Sequence, residues 1–76
     1  MSTSEVRLSI VATTRSAELV LVDAGRSEIA RGVGSVEALV PPGFYKVRQR
    51  IGDREGSELV EVVEGPSRAL ALPELL

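Results

Sequence analysis

Apolar residues recur at every second position along most of this chain, the period of a strand with one face buried. In "EVRLSIVATT", Val6, Leu8, Ile10 and Ala12 fall on one face, with Arg7, Ser9 and Val11 on the other. "AELVLVDAG" carries a continuous apolar run, Leu19 to Val22, bounded by Asp23 and Gly25. A run this short and β-branched predicts a strand covered on both faces rather than a helix. "SEIAR" is a short third strand, and "GSVEALV" places Val36, Ala38 and Val40 together. In "FYKVRQRI", Tyr45, Val47, Gln49 and Ile51 alternate with Lys46, Arg48 and Arg50. "SELVEVVEG" and "RALAL" complete the set. About seven short strands at roughly 8–12-residue spacing, with no helical period, predict an all-β fold, a small antiparallel β-sandwich of the transthyretin or Ig-like kind. The expected boundaries are a frayed segment at residues 1–4, a sandwich at 5–72, and a tail or linker start at 73–76.

Turn chemistry refines this outline. Pro42 suits position i+1 of a turn and Gly43 position i+2, so Pro41-Pro42-Gly43 reads as a type II turn, with φ above zero at Gly43, opening a central hairpin. "GDREG" reads as a five-residue loop with a glycine at each end. Two parities then fit the strands on either side. One sets Val47 against Glu61. The preferred one pairs Val47 with Val62 and Gln49 with Val60 inside, and Arg48 with Glu61 outside; it buries more apolar surface and matches opposite charges. It also leaves Leu59 and Val63 on the outer face. "GVGSVEA" has a lone G-x-G without the third glycine or the helix a phosphate loop needs, so a flexible connector or a bulge is expected there.

Composition narrows the class. Seventy-six residues make one domain, and a core of this size typically supplies about 3–5 kcal/mol of net stability. With no Cys and no His, neither a disulfide nor a Cys/His zinc site can brace it. The core must be aliphatic, and 11 Val, 9 Leu and 3 Ile are available. The net charge of −2 is spread evenly, which gives no electrostatic pull toward nucleic acid or anionic lipid. No apolar run approaches the ~18 residues of a membrane span. The leading "MSTSEVRLSIVATT" lacks the basic and apolar parts of a secretory leader, which points to the cytoplasm.

The candidate chemistry is sparse. Without His or Cys the usual proton shuttle and thiol nucleophile are missing, and no serine sits in G-x-S-x-G. No catalytic activity, cofactor or metal is expected. "GDREGSE" offers oxygens but not the D-x-D-x-D-G spacing that gathers them on calcium. The Lys46, Arg48, Arg50 stripe reads as a solvated outer face paired with Glu61 and Glu64, and Tyr45, one of only two aromatics, is expected inward rather than stacked on a base. With no Trp, a glycan-binding role is a distant alternative. Leu59, Val63, Leu75 and Leu76 are the apolar residues left without an inward place. For Leu75 and Leu76 a linker beyond Pro73, docking on the sandwich itself, and contact with another copy all remain open. The candidate interaction surface is therefore Lys46, Arg48, Arg50, Leu59, Glu61, Val63, Leu75 and Leu76.

The order of signals also resembles a family. A strand leads into "L-x-P-P-G-x-Y-x-V" at Leu39, Pro41, Pro42, Gly43, Tyr45 and Val47. A loop between Gly52 and Gly56, an alternating strand, a turn at Gly65 and a closing Leu70-x-Leu72 follow. This is similar to PEGA-type and carboxypeptidase-regulatory-like modules, which are small transthyretin-like sandwiches. The resemblance implies a non-catalytic accessory domain, the N-terminal piece of a larger bacterial-type protein, with protein as its partner. The alternative is a structural subunit that assembles with itself through sheet edges.

Overall fold

The computed structural model describes residues 5–65 and 67–72. The frayed segment expected at residues 1–4, Pro66 and the tail with Leu75 and Leu76 lie outside the described residues. Seven strands follow one another: β1 (Val6–Ala12), β2 (Glu18–Asp23), β3 (Glu28–Val33), β4 (Ser35–Val40), β5 (Gly43–Ile51), β6 (Arg54–Val62) and β7 (Ser67–Leu72). Among the described residues there is no helix. The strands form two packed sheets, one ordered β4-β1-β7 and the other β3-β2-β5-β6. The molecule is a small β-sandwich.

The alternation in the sequence becomes the inside and outside of these layers. Val6, Leu8 and Ile10 of β1 are fully buried, and so are Leu19 and Ala17 across the core. Ala12, Leu21, Val36, Val40, Tyr45, Val47, Val60, Val62 and Leu72 complete one continuous cluster, with Ala30, Ala38, Ile51 and Leu70 at its margin. Burying a Val, Leu or Ile side chain contributes about 1.5–3 kcal/mol, and this aliphatic interior is what holds a chain with no disulfide together. Gln49 is the buried polar residue among those described. It has the inward parity of Tyr45 and Val47, as expected.

Several local expectations are corrected. The sandwich is not wholly antiparallel: β7 runs parallel to β1, with Ile10 beside Leu70 and Ala12 beside Leu72. The first and last described strands are thus neighbours, and the Thr13 hydroxyl fastens this junction by donating to the Leu72 carbonyl at 2.8 Å.

Pro41-Pro42-Gly43 is not a type II hairpin turn. β4 belongs to the smaller sheet and β5 to the larger, so the two prolines carry the chain from one layer to the other. Neither can donate to a ladder, which suits a segment that leaves one sheet before joining the next. Gly43 opens β5 with φ 157°, far from the value near +80° that position i+2 of a type II turn requires.

The β5–β6 connection is shorter than a five-residue loop. Ile51 pairs with Arg54, leaving Gly52 and Asp53 as a two-residue turn. Of these only Gly52 has positive φ, at 61°. That is the type II′ pattern, whose twist matches the flanking strands. Arg54 to Gly56 therefore belong to β6. Val47 faces Glu58, Gln49 faces Gly56 and Arg48 faces Ser57, while Val60 and Val62 face Tyr45 and Gly43. The expected pairs Val47–Val62, Gln49–Val60 and Arg48–Glu61 do not form. The displacement is an even number of residues, so every side chain keeps its predicted face.

The G-x-G of "GVGSVEA" is neither a flexible connector nor a bulge but a tight corner between the layers. A Cβ on Gly32 would lie 2.1 Å from the Ser35 carbonyl oxygen. Gly34 sits at φ 80°. Its N–H donates to the Ala17 carbonyl at 2.8 Å, and its carbonyl accepts from the Ala12 N–H at 2.9 Å. These two bonds hold the corner between β3 and β4 against the end of β1 and the residue that precedes β2.

Candidate functional site

The outer face of the four-stranded sheet gathers most of the candidate residues. It is built from the outward-turned positions of β2, β5 and β6, which alternation directs away from the core. Reading across these strands, Lys46 lies between Val22 and Leu59, Arg48 between Val20 and Ser57, and Arg50 between Glu18 and Glu55. Phe44 stands opposite Glu61.

The face has two ends of different character. At one end Val22, Asp23, Arg26, Phe44, Lys46 and Leu59 line a shallow depression of about 450 Å³. Phe44 is 64% exposed and Leu59 77% exposed. Val22 is buried beneath them and gives the depression an apolar floor. Lys46 is half-buried between Val22 and Leu59, and a lysine so placed can lay its aliphatic stem on apolar surface while its charged head stays in water. At the other end Glu18, Glu28, Arg31, Arg48, Arg50 and Glu55 alternate in sign around a smaller depression of about 280 Å³. Arg31 donates to both carboxylate oxygens of Glu28, at 2.6 and 3.0 Å. That hydrogen bond holds the Glu28 carboxyl below its usual pKa and raises the Arg31 guanidinium. The Arg50 Nε–H donates to the Gly52 carbonyl at 3.3 Å.

Lys46, Arg48, Arg50, Leu59 and Glu61 are thus on one face, as expected. Glu61 is beside Phe44 rather than Arg48, and the acidic neighbours of Arg50 are Glu18 and Glu55. Val63 is exposed just past β6. Leu75 and Leu76 fall outside the described residues. Pro41, Pro42 and Gly43 form the crossover into β5. Phe44 is the residue that sequence reasoning omitted from the surface. Its parity with Lys46 was the available signal.

Tyr45 turns inward and donates its hydroxyl to the Pro41 carbonyl. Burial pushes its phenol above the usual pKa, and the nearby Asp23 carboxylate adds to the effect. Tyr45 is therefore a brace for the crossover and Phe44 the exposed aromatic.

Among the described residues no helix is long and apolar enough to cross a membrane. The chain matches no protein-family model and no curated protein.

Proposed function

We propose that this chain is a non-catalytic interaction or accessory module that binds another protein through the outer face of its four-stranded sheet. The observation that carries the reading is the grouping of Phe44, Leu59 and Val22 around Lys46. Exposed aromatic and aliphatic side chains over a buried floor are the kind of centre that dominates protein–protein contacts. The cations Lys46, Arg48 and Arg26 frame that centre, so the matching surface is apolar with acidic residues at its rim. The resemblance to PEGA-type modules supports the same role, as a domain of a larger cytoplasmic protein, and rests on the order of turns and strands rather than on chemistry of a site.

Site-specific photo-crosslinking in cells tests this. A crosslinker placed at Phe44 or at Leu59 captures one defined protein, while the same crosslinker at Val11, on the outer face of the other sheet, does not. Leu59→Glu abolishes the capture from position 44 without changing the circular dichroism spectrum. Equal labelling from both sheets, or turnover of a substrate by the purified protein, defeats the proposal.

A further inference from the structure

Along the outward positions of β5 the balance of charge changes from one end to the other. Arg50 stands directly between Glu18 and Glu55. Arg48 stands between Val20 and Ser57, and Lys46 between Val22 and Leu59, so neither faces a carboxylate across the sheet. Glu18 and Glu55 reach Arg48 only on the diagonal, as Glu61 reaches Lys46, a separation of about 7–8 Å. Among the described residues the side chains of Lys46 and Arg48 make no hydrogen bond or ion pair. Beyond Lys46 the next outward residue is the exposed Phe44. The row from Phe44 to Arg50 thus runs apolar, cationic, cationic, neutralised, on a chain whose net charge is −2.

A third cation reaches the same depression from a strained loop. The Arg26 N–H donates to the Asp23 carbonyl, closing a turn over Ala24 and Gly25, and the Asp23 N–H donates to the Ser27 carbonyl, each at 3.0 Å. Arg26 follows this turn at φ 69°, the left-handed position that a three-residue hairpin loop normally gives to glycine. Gly25, one residue earlier, does not take positive φ. Backbone strain of this kind gathers at ligand clamps and active sites. Asp23 is the one acidic residue lining the depression among the described residues, and its carboxylate already accepts from the Ser27 N–H at 2.9 Å. Arg26, Lys46 and Arg48 therefore leave the depression with an excess of positive charge.

Resting on the protein-binding reading of this face, we propose that the partner presents an extended acidic segment lying along β5. An apolar residue of that segment sits on Phe44, and acidic residues two and four positions away sit on Lys46 and Arg48. Successive outward side chains of a strand are about 6.6–6.8 Å apart. An extended partner laid on the sheet repeats at the same interval, so one alternating segment, apolar-x-acid-x-acid, matches three consecutive outward positions in either chain direction. Stacked strands stay within about 30° of one another, which keeps so short a segment in line. Charge complementarity selects this occupant: a basic or neutral segment would leave Lys46 and Arg48 without counter-charge, while Arg50 is already neutralised and ends the pattern. Arg26 adds positive potential at the apolar end.

Amide chemical shifts of the isotopically labelled chain, titrated with short synthetic peptides, test the pattern. The probes are threonine-rich peptides carrying one Leu and two Glu at alternate positions, made in both directions, and peptides of the same composition with the two Glu at helical spacing. The expected result is a dissociation constant below about 1 mM for an alternating peptide, shifts centred on β5, and weaker binding of the helical-spacing control. Lys46→Glu and Arg48→Glu each weaken the alternating peptide at least about threefold, the effect of turning one exposed charge pair into a repulsion; Arg50→Glu has a smaller effect than either. Arg26→Gly raises the urea midpoint, because glycine takes positive φ freely, yet weakens the peptide. No binding by either alternating peptide, equal binding by the control, or an Arg50→Glu effect as large as that of Arg48→Glu overturns the proposal. So do shifts of the same residues with the concentration of the chain alone, which would place a second copy there. Crosslinking in cells separates this inference from the reading it rests on. Capture from position 44 that survives both Lys46→Glu and Arg48→Glu means that the face binds a protein without the acidic pattern, whereas no capture from either 44 or 59 removes the face itself.

Discussion

Replacing Gly32 by alanine puts the β3–β4 corner to a quantitative test. The new methyl would start 2.1 Å from the Ser35 carbonyl oxygen, against an ordinary contact distance of roughly 3.5 Å. Relief requires the backbone itself to move, because the clashing atom belongs to a carbonyl rather than to the end of a flexible side chain. That movement pulls on Gly34, whose two hydrogen bonds to Ala17 and Ala12 hold the corner. Overpacking costs about 1–3 kcal/mol, and each weakened hydrogen bond costs about 0.5–1.5 kcal/mol. The total, about 2–6 kcal/mol, is comparable to the ~3–5 kcal/mol of net stability that a core of this size typically supplies. Gly32→Ala is therefore expected to be largely unfolded.

Two companion substitutions calibrate the result. Gly52→Ala has open space but a φ of 61°, and should cost about 1–2 kcal/mol from the left-handed backbone alone. Gly65→Ala meets no atom within 4 Å and should stay within about 0.5 kcal/mol of the parent. Urea unfolding followed by circular dichroism separates them. With a slope of about 1 kcal/mol per molar for a small domain, Gly65→Ala leaves the midpoint in place and Gly52→Ala lowers it by about 1–2 M. Gly32→Ala shows no folded baseline. Should Gly32→Ala unfold at the same urea concentration as Gly65→Ala, the corner is not packed as described.

Three further outcomes follow from particular contacts. Val47 is 1% exposed in the centre of the core, so Val47→Asp places an unpaired charge there and abolishes cooperative unfolding; a normal transition would mean that the inward face is reversed. Thr13→Ala removes the hydroxyl bonded to the Leu72 carbonyl and should cost about 0.5–1.5 kcal/mol, seen in amide exchange as loosening confined to the end of β7; uniform loosening would argue against that contact. The raised pKa of Tyr45 means the folded state keeps its phenolic proton after the unfolded chain has lost it. Its contribution is thus complete below about pH 10 and is lost as pH rises from there through the folded pKa. Tyr45→Phe should flatten this alkaline decline, and as Tyr45 is the only tyrosine, phenolate absorbance in the parent reports its titration directly.

How much was legible in the sequence differed by scale. The strands and their faces could be read because β geometry has a period of two and burial enforces it residue by residue. Val6, Leu8, Ile10 and Ala12 needed no knowledge of partners to be placed inward. Leu59 and Lys46 could be placed outward for the same reason. Register could not be read with equal ease. Whether Gly52-Asp53 closes a two-residue turn or Gly52 to Gly56 a longer loop depends on the backbone angle at one glycine, and both choices preserve the same faces. The sheet to which a strand belongs is decided by contacts distant in sequence. Pro41-Pro42 ends a strand equally well before a hairpin or before a crossing to the other layer. The parallel seating of β7 on β1 leaves no local mark at all. Phe44 went unassigned because its neighbour Tyr45 drew the aromatic reading inward.

The seating of β7 against β1 also bears on how the chain reaches its native state. Thr13 and Leu72, joined by a hydrogen bond, stand 59 residues apart in sequence. A growing polypeptide emerging from a ribosome must hold the apolar rib of β1 without its flanking neighbour until nearly the whole sandwich has been made. Formation is then a late, concerted event, slow relative to helical chains of the same size. Any nascent form halted before Ser67 would offer the vacant flank of β1 to whatever extended strand it meets first.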